Sequence, residues 1–196
     1  MKLFSLISAI SVFVTLLTIQ ATQVDKPEMI SKKEWGGKEK TGEIPTHEIE
    51  YITIHHGGVE FPEDKDPKEY MRNLQKFSQD DKNWIDIPYH FCIDLDGKIY
   101  QARPLEYPGD TNTEYDPAGH ALINVMGNYE VQKIKPEQIE AIIHLSAWLA
   151  QEYEVPTDSI ATHKDHSDQT VCPGKDLYKY FEDGTIISGI KELLSK

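Results

Sequence analysis

The sequence predicts one α/β domain, a central mixed β-sheet flanked by helices, and three observations carry that prediction. Short apolar or alternating runs of strand length, at 51–56, 121–126 and 159–162, are interspersed with amphipathic runs of helical length at 66–80 and 136–153. Asp96-Gly97 between two apolar runs is a hairpin signal, so at least one strand pair is antiparallel. Once an apolar leader is set aside, roughly 170 of the 196 residues remain, enough for one domain with a full core.

The leader comes first. Lys2 is followed by an apolar stretch, residues 3–19, that is diluted by Ser5, Ser8, Ser11, Thr15 and Thr18. A spanning helix needs about 20 predominantly apolar residues, so residues 1–23 read as a cleaved signal peptide and 24–196 as the mature domain. Ala21 suits the position before a cut, but Ile19 is a poor small residue two positions earlier. The expectation is export, periplasmic or secreted, with no stable membrane insertion after leader removal. No cysteine lies near the leader, which argues against a lipoprotein.

Residues 24–50 are polar and rich in Lys, Glu and Pro, an ordered arm with a short helix at 30–35. Residues 51–56 alternate, so Tyr51, Thr53 and His55 share one face and Ile52, Ile54 and His56 the other. Asp66 caps the next helix, with Pro67 at its first position and Glu69 completing a capping box. Tyr70, Met71, Leu74 and Phe77 then form its apolar stripe. Residues 88–94 and 98–103 form the hairpin around Asp96-Gly97. The apolar run 121–126, stopped by Gly127-Asn128, suits a strand buried on both faces. Residues 136–153 are the main packing helix, 159–162 a short strand delivering His163, and 177–181 with 185–194 the closing helical pieces.

The formal charge is −13, and losing the leader removes Lys2 and no acid. Its 20 Lys and Arg are scattered among 33 Asp and Glu, which excludes nucleic acid as a partner because phosphate binding needs clustered cations. An exported chain with two cysteines, Cys92 and Cys172, is open to one disulfide. Against it, Cys92 lies in an apolar strand pattern, whereas Cys172 follows a polar, His-rich turn and precedes Pro173-Gly174.

That turn and the strand at 51–56 hold the candidate donors: His55, His56, His163, His166 and Cys172. Imidazole nitrogen and thiolate sulfur are the donors that zinc takes, and three protein ligands leave a fourth tetrahedral position for water. Alternation turns His55 away from the Ile52 and Ile54 pair. Eight residues separate His163 from Cys172, a loop that costs little entropy to close. His166 competes with His163 on spacing alone. A lone strand histidine is more often a hydrogen-bonded structural residue, so the weight rests on the combination.

Six segments in order strengthen it: Ile30-Ser-Lys-Lys-Glu-Trp35-Gly, Ile52-Thr-Ile-His55-His56, Trp84-Ile-Asp-Ile-Pro-Tyr89-His-Phe91, Asp96-Gly97-Lys-Ile-Tyr100-Gln-Ala-Arg103, Gly127-Asn128-Tyr129, and His163 through Cys172-Pro-Gly174. In these the chain resembles the zinc-dependent N-acetylmuramoyl-L-alanine amidases that include phage lysozyme-type amidases and peptidoglycan recognition proteins. The resemblance implies Zn2+ held by His55, His163 and Cys172. It places Tyr89 beside the zinc-bound water, although alternation with Phe91 and Ile93 is equally the pattern of a core aromatic. Thr170, two residues before the cysteine, would help stabilise the tetrahedral intermediate. The loop is one residue longer than in many relatives, so Gln169 competes for that role.

Trp35, Trp84 and His120 are candidate groove residues, and core packing explains the tryptophans equally well. Asp165 is either an acceptor that orients a ligand imidazole or a solvated loop acid. The implied reaction is hydrolysis of the amide between the lactyl group of N-acetylmuramic acid and L-alanine, with zinc-bound water as nucleophile and peptidoglycan or muropeptides as partner to a monomer. The alternative is a non-catalytic peptidoglycan-binding module; a third reading makes Cys172 a thiol nucleophile with His163 as its base.

Overall fold

The computed structural model describes residues 23–196, so the leader lies outside the described residues but for Gln23. Six strands form one sheet in the order β1-β4-β3-β5-β2-β6. They are β1 (Met29–Ile30), β2 (Tyr51–His56), β3 (Phe91–Ile93), β4 (Ile99–Gln101), β5 (His120–Val125) and β6 (Ile160–Thr162). Only β3 with β4 is antiparallel; β1–β4, β3–β5, β5–β2 and β2–β6 are parallel, which makes the sheet mixed as the Asp96-Gly97 signal requires. The helices are α1 (Pro67–Asp80), α2 (Pro136–Glu152), the single turn α3 (His163–His166), α4 (Lys175–Glu182) and α5 (Thr185–Leu194). Among the described residues no helix is long and apolar enough to cross a membrane.

Parallel strands are buried on both faces, and β2 and β5 obey this: from Ile52 to His56 and from His120 to Val125 every residue is buried. Alternation sorts their side chains into two cores. Ile52, Ile54, Phe91, Ile93 and Ile123 pack with Ile142, Leu145 and Leu149 of α2 and with Ile186 and Ile190 of α5. Cys92 and Tyr100, one residue out of phase on β3 and β4, pack instead with Tyr70 and Met71 of α1. Two helical layers therefore enclose the sheet, and each fully buried aliphatic side chain contributes roughly 1.5–3 kcal/mol. Asp66 caps α1 with Pro67 at its first position, but its carboxylate accepts from the Lys68 N–H at 2.9 Å, and the capping box expected with Glu69 is not formed.

Three further expectations change. Residues 30–35 are not a helix: Ile30 pairs with Tyr100 in β1, and Ser31–Trp35 closes in turns, because β4 offers a free edge. The hairpin strands are shorter than read, since Gly97 at φ +77° and the Asp94 carboxylate, which accepts from the Asp96 and Lys98 N–H groups, give residues 94–98 to the turn. The residues after β6 begin with the helical turn α3 rather than running as loop.

The connection into α4 fixes that segment's far end. Gly174 has φ +88°, and a Cβ there would meet the Tyr129 carbonyl carbon at 2.5 Å and the Glu130 nitrogen at 2.6 Å, so only glycine permits this approach. Two residues on, the Asp176 N–H donates to the Tyr129 carbonyl at 2.9 Å. Its carboxylate accepts from the Ile134 N–H at 2.9 Å, Lys133 at 2.8 Å and Lys179 at 2.7 Å. Burial by itself raises the Asp176 pKa, but these donors outweigh it and hold the carboxyl at about 2.

A folded-state pKa below the ordinary carboxylate value contributes stability above about pH 4 that is lost as pH falls towards about 2. Asp176→Asn is therefore expected to cost roughly 2 kcal/mol at pH 7 by urea unfolding. The gap from the parent should close across the same acid range; a gap independent of pH would place the loss elsewhere.

Candidate metal centre

β2 and β6 run parallel with Ile54 opposite Thr162, so the next residue on each chain is a histidine at the same strand end. His55 and His163 consequently lie side by side, their rings 4.5 Å apart between centroids. The chain returns from α3 to deliver Cys172. The Lys164 N–H donates to the Cys172 carbonyl at 2.8 Å, the Cys172 N–H to Thr170 Oγ1 at 3.1 Å, and the His56 N–H to Cys172 Sγ at 3.3 Å. One donor atom from each of His55, His163 and Cys172 falls within 4.8 Å of the others, and all three residues are buried.

Burial pushes the His55 imidazole well below its ordinary range, with His163 beside it adding to the effect; it lowers His163 to about 4 and raises the Cys172 thiol to about 12. Desolvation thus disfavours both halves of a thiolate–imidazolium pair, which weighs against Cys172 as an activated nucleophile. Neutral imidazoles are the ligand form, and a buried thiolate needs a neighbouring cation. Two nitrogens and one sulfur suit zinc and leave a position open. Both cysteines are free: Cys92 sits in the α1-side core, where the Asn124 amide approaches its sulfur at 3.6 Å.

The donors stand in a cavity of about 440 Å³ whose wall includes Trp84, Tyr89, Thr111, Thr113, Gln169 and Thr170. Tyr89 is where alternation misleads. It precedes β3 in irregular backbone, packs against the α1-side core rather than with Phe91 and Ile93, and sets its ring 5.3 Å from that of His55. Burial, then the nearby Cys172, hold its phenol well above its ordinary pKa. Thr170 accepts the Cys172 N–H, which leaves its hydroxyl proton free to donate into the cavity; exposed Gln169 shares the wall. His56 borders the same cavity but is not among the converging donors, and its Nδ1 accepts the Tyr129 N–H at 3.2 Å.

Other residues lie elsewhere. Trp35 is fully buried in the α1-side core, its indole N–H donating to the Gln101 carbonyl at 2.6 Å, so it lines no groove. His120 is also not a groove residue: at the start of β5 it bonds Thr53 Oγ1 at 2.8 Å and is covered by Tyr51, stacked 4.6 Å away. His166 reaches the same hydroxyl at 3.3 Å. Asp165 orients no ligand imidazole; its carboxylate caps α3 through the Thr162 N–H and hydroxyl at 2.8 and 2.6 Å and accepts from the Tyr178 hydroxyl at 2.9 Å. Sequence reasoning missed Thr111, Thr113 and Tyr115, which approach the two histidines from a segment without periodicity.

A mixed sheet between helical layers, with two histidines at adjoining strand ends and a cysteine brought to them by the chain's return from α3, defines an α/β domain of the peptidoglycan recognition protein and amidase class. The Drosophila peptidoglycan recognition protein SD matches over 80% of this chain and 94% of its own, with TM-score 0.72 and 25% identity. An endolysin N-acetylmuramoyl-L-alanine amidase from Clostridium intestinale shares the fold, with TM-score 0.66 and 23% identity over 83% of this chain and 97% of its own. By sequence, peptidoglycan-recognition protein SC2 of Drosophila melanogaster is 27% identical over 152 residues, 76% of this chain and 82% of that relative. The chain belongs to the N-acetylmuramoyl-L-alanine amidase family (Amidase_2), whose profile matches residues 45–175.

Thiol titration of the denatured, unreduced protein should count two free thiols per chain. A count near zero would show that Cys92 and Cys172 are paired.

Proposed function

We propose that this chain is an exported, monomeric, zinc-dependent N-acetylmuramoyl-L-alanine amidase that cleaves the amide between the lactyl group of N-acetylmuramic acid and L-alanine in peptidoglycan. The observation that carries the reading is the convergence of His55, His163 and Cys172 within 4.8 Å beside a cavity large enough for part of a muropeptide. Family membership supports it, although the family profile and fold are shared by amidases and recognition proteins alike.

The donor set fits zinc, and His55, His163 and Cys172 would hold it. A zinc ion there supplies Lewis acidity and brings the pKa of water from 15.7 towards about 7. The remaining work falls to the chain. Tyr89, in the cavity wall beside His55, presents its phenol O–H to the oxyanion that develops on the scissile carbonyl. Thr170, its oxygen held by the Cys172 N–H, is the second donor, and it is preferred to Gln169 because that bond fixes its position. Trp84 and the cavity wall exclude water from one side of the bound substrate. Cys172, as a ligand, is unavailable for attack.

A binding module with the same fold needs no complete donor set; the three donors together favour catalysis. Incubation of the purified protein with muropeptides should release stem peptides beginning with L-alanine. A strong chelator should stop the release, and added zinc should restore it. Release that survives chelation would contradict a zinc mechanism, and binding without release would make the chain a recognition module.

Tyr89→Phe should lower kcat roughly 100- to 1,000-fold, the usual cost of one oxyanion donor, with zinc content unchanged. Undiminished turnover would remove Tyr89 from the reaction.

A further inference from the structure

The two histidines of the centre are flanked by residues 109–119, a segment that enters neither sheet nor helix and whose residues 110–113 line the same cavity. It is fastened along its length. Asp110 pairs with the buried Arg103 guanidinium, and the Asp110 N–H donates to the Pro88 carbonyl at 3.2 Å. Asn112 accepts from Lys82 at 3.0 Å, Glu114 accepts from the Ser167 hydroxyl at 2.8 Å, and the Gly119 N–H donates to His47 Nδ1 at 2.7 Å. Between these fastenings, Thr113 Oγ1 lies 2.7 Å from His163 Nε2 and the Tyr115 hydroxyl 3.3 Å from His55 Nε2. Thr111 lies 2.9 Å from the Thr113 hydroxyl and 3.4 Å from the same His163 nitrogen. The Tyr115 ring rests against those of His163, His166 and His120, at 5.2, 5.5 and 5.3 Å.

The opposite nitrogen of His55 faces the centre, since its Nδ1 lies 3.8 Å from Cys172 Sγ. An imidazole whose Nε2–H is held by an acceptor is fixed in the tautomer that leaves Nδ1 with a free lone pair, and such an outer hydrogen bond also sets the ring's orientation. We infer that residues 109–119 form the outer shell of the metal centre: Thr113 accepts the Nε2–H of His163 and Tyr115 that of His55, so that both imidazoles present Nδ1 to the ion. The inference rests on the reading of His55, His163 and Cys172 as zinc ligands. Thr113 and Tyr115 act here as positioning residues. They hold the ligands and take no part in the bond-breaking step.

Zinc affinity, measured by competition against a fluorescent chelator, separates the two claims. The parent should bind one zinc per chain and Cys172→Ser should bind far more weakly; a parent that binds none overturns the zinc reading, and the outer-shell assignment with it. With the parent binding, Tyr115→Phe and the double variant Thr111→Val/Thr113→Val should each weaken zinc binding roughly 10- to 100-fold, the usual cost of an outer-shell partner. Thr113→Ser should stay within threefold of the parent, because it keeps the hydroxyl. Affinities within threefold for the first two variants overturn the assignment and leave the zinc reading standing. A second measurement needs no variant: long-range proton–nitrogen correlation spectra of the zinc-loaded parent should show His55 and His163 as Nε2–H tautomers. Nδ1–H on either one overturns the assignment.

Discussion

The parallel register of β2 against β6 governs this structure. With Ile54 set opposite Thr162, the chain brings two histidines from positions 108 residues apart to the same end of two adjoining strands, and the sheet rather than any local motif holds them together. A slip of one residue would turn His55 into the α2-side core and bring Ile54 out of it, losing buried aliphatic contacts on one face while exposing them on the other. Core packing and donor placement are thus a single constraint. Cys172 joins through a return of chain whose far end is fixed by Gly174 against the Tyr129 backbone and by the Asp176 carboxylate among its donors.

Burial bears on what the cluster of His55, His163 and Cys172 is suited to hold. In a low-dielectric setting a thiolate without a positive neighbour is unfavourable, and so is an imidazolium. A divalent cation stabilises the thiolate and accepts the neutral imidazoles as they are. The physical chemistry that opposes a cysteine–histidine nucleophile at Cys172 therefore favours the same residue as a ligand. Tyr89 lies in the same surroundings, and burial moves its phenol further above an ordinary value that already leaves it protonated in the neutral range. The acidic surface has no part in this chemistry; the lysines around Asp176 serve the fold.

Much of the architecture was legible in the residues. The alternation of 51–56 separated His55 from His56 because β2 is a regular strand whose Ile52 and Ile54 face packs into the aliphatic core, and the period of 136–152 identified α2 because its apolar side packs into that core too. Legibility fails where backbone is irregular. Tyr89 follows the phase of Phe91 and Ile93 in sequence, but the chain enters β3 only at Phe91, so the phase does not extend back to it. Trp35 belongs to the core because β1 adds to the free edge of β4, a long-range pairing with no local signature. His120 and Asp165 spend their hydrogen-bonding groups on neighbours that only the fold assembles. Residues 109–119 carry no periodicity at all, and their contacts with His55 and His163 come from fastenings to Arg103, Lys82, Ser167 and His47.

Zinc K-edge absorption of the loaded protein tests the convergence of His55, His163 and Cys172 most directly. A first shell with one sulfur and two imidazole nitrogens is the expected result, and the sulfur contribution should vanish in Cys172→Ser. A first shell without sulfur in the parent, or one unaltered by that substitution, would contradict it.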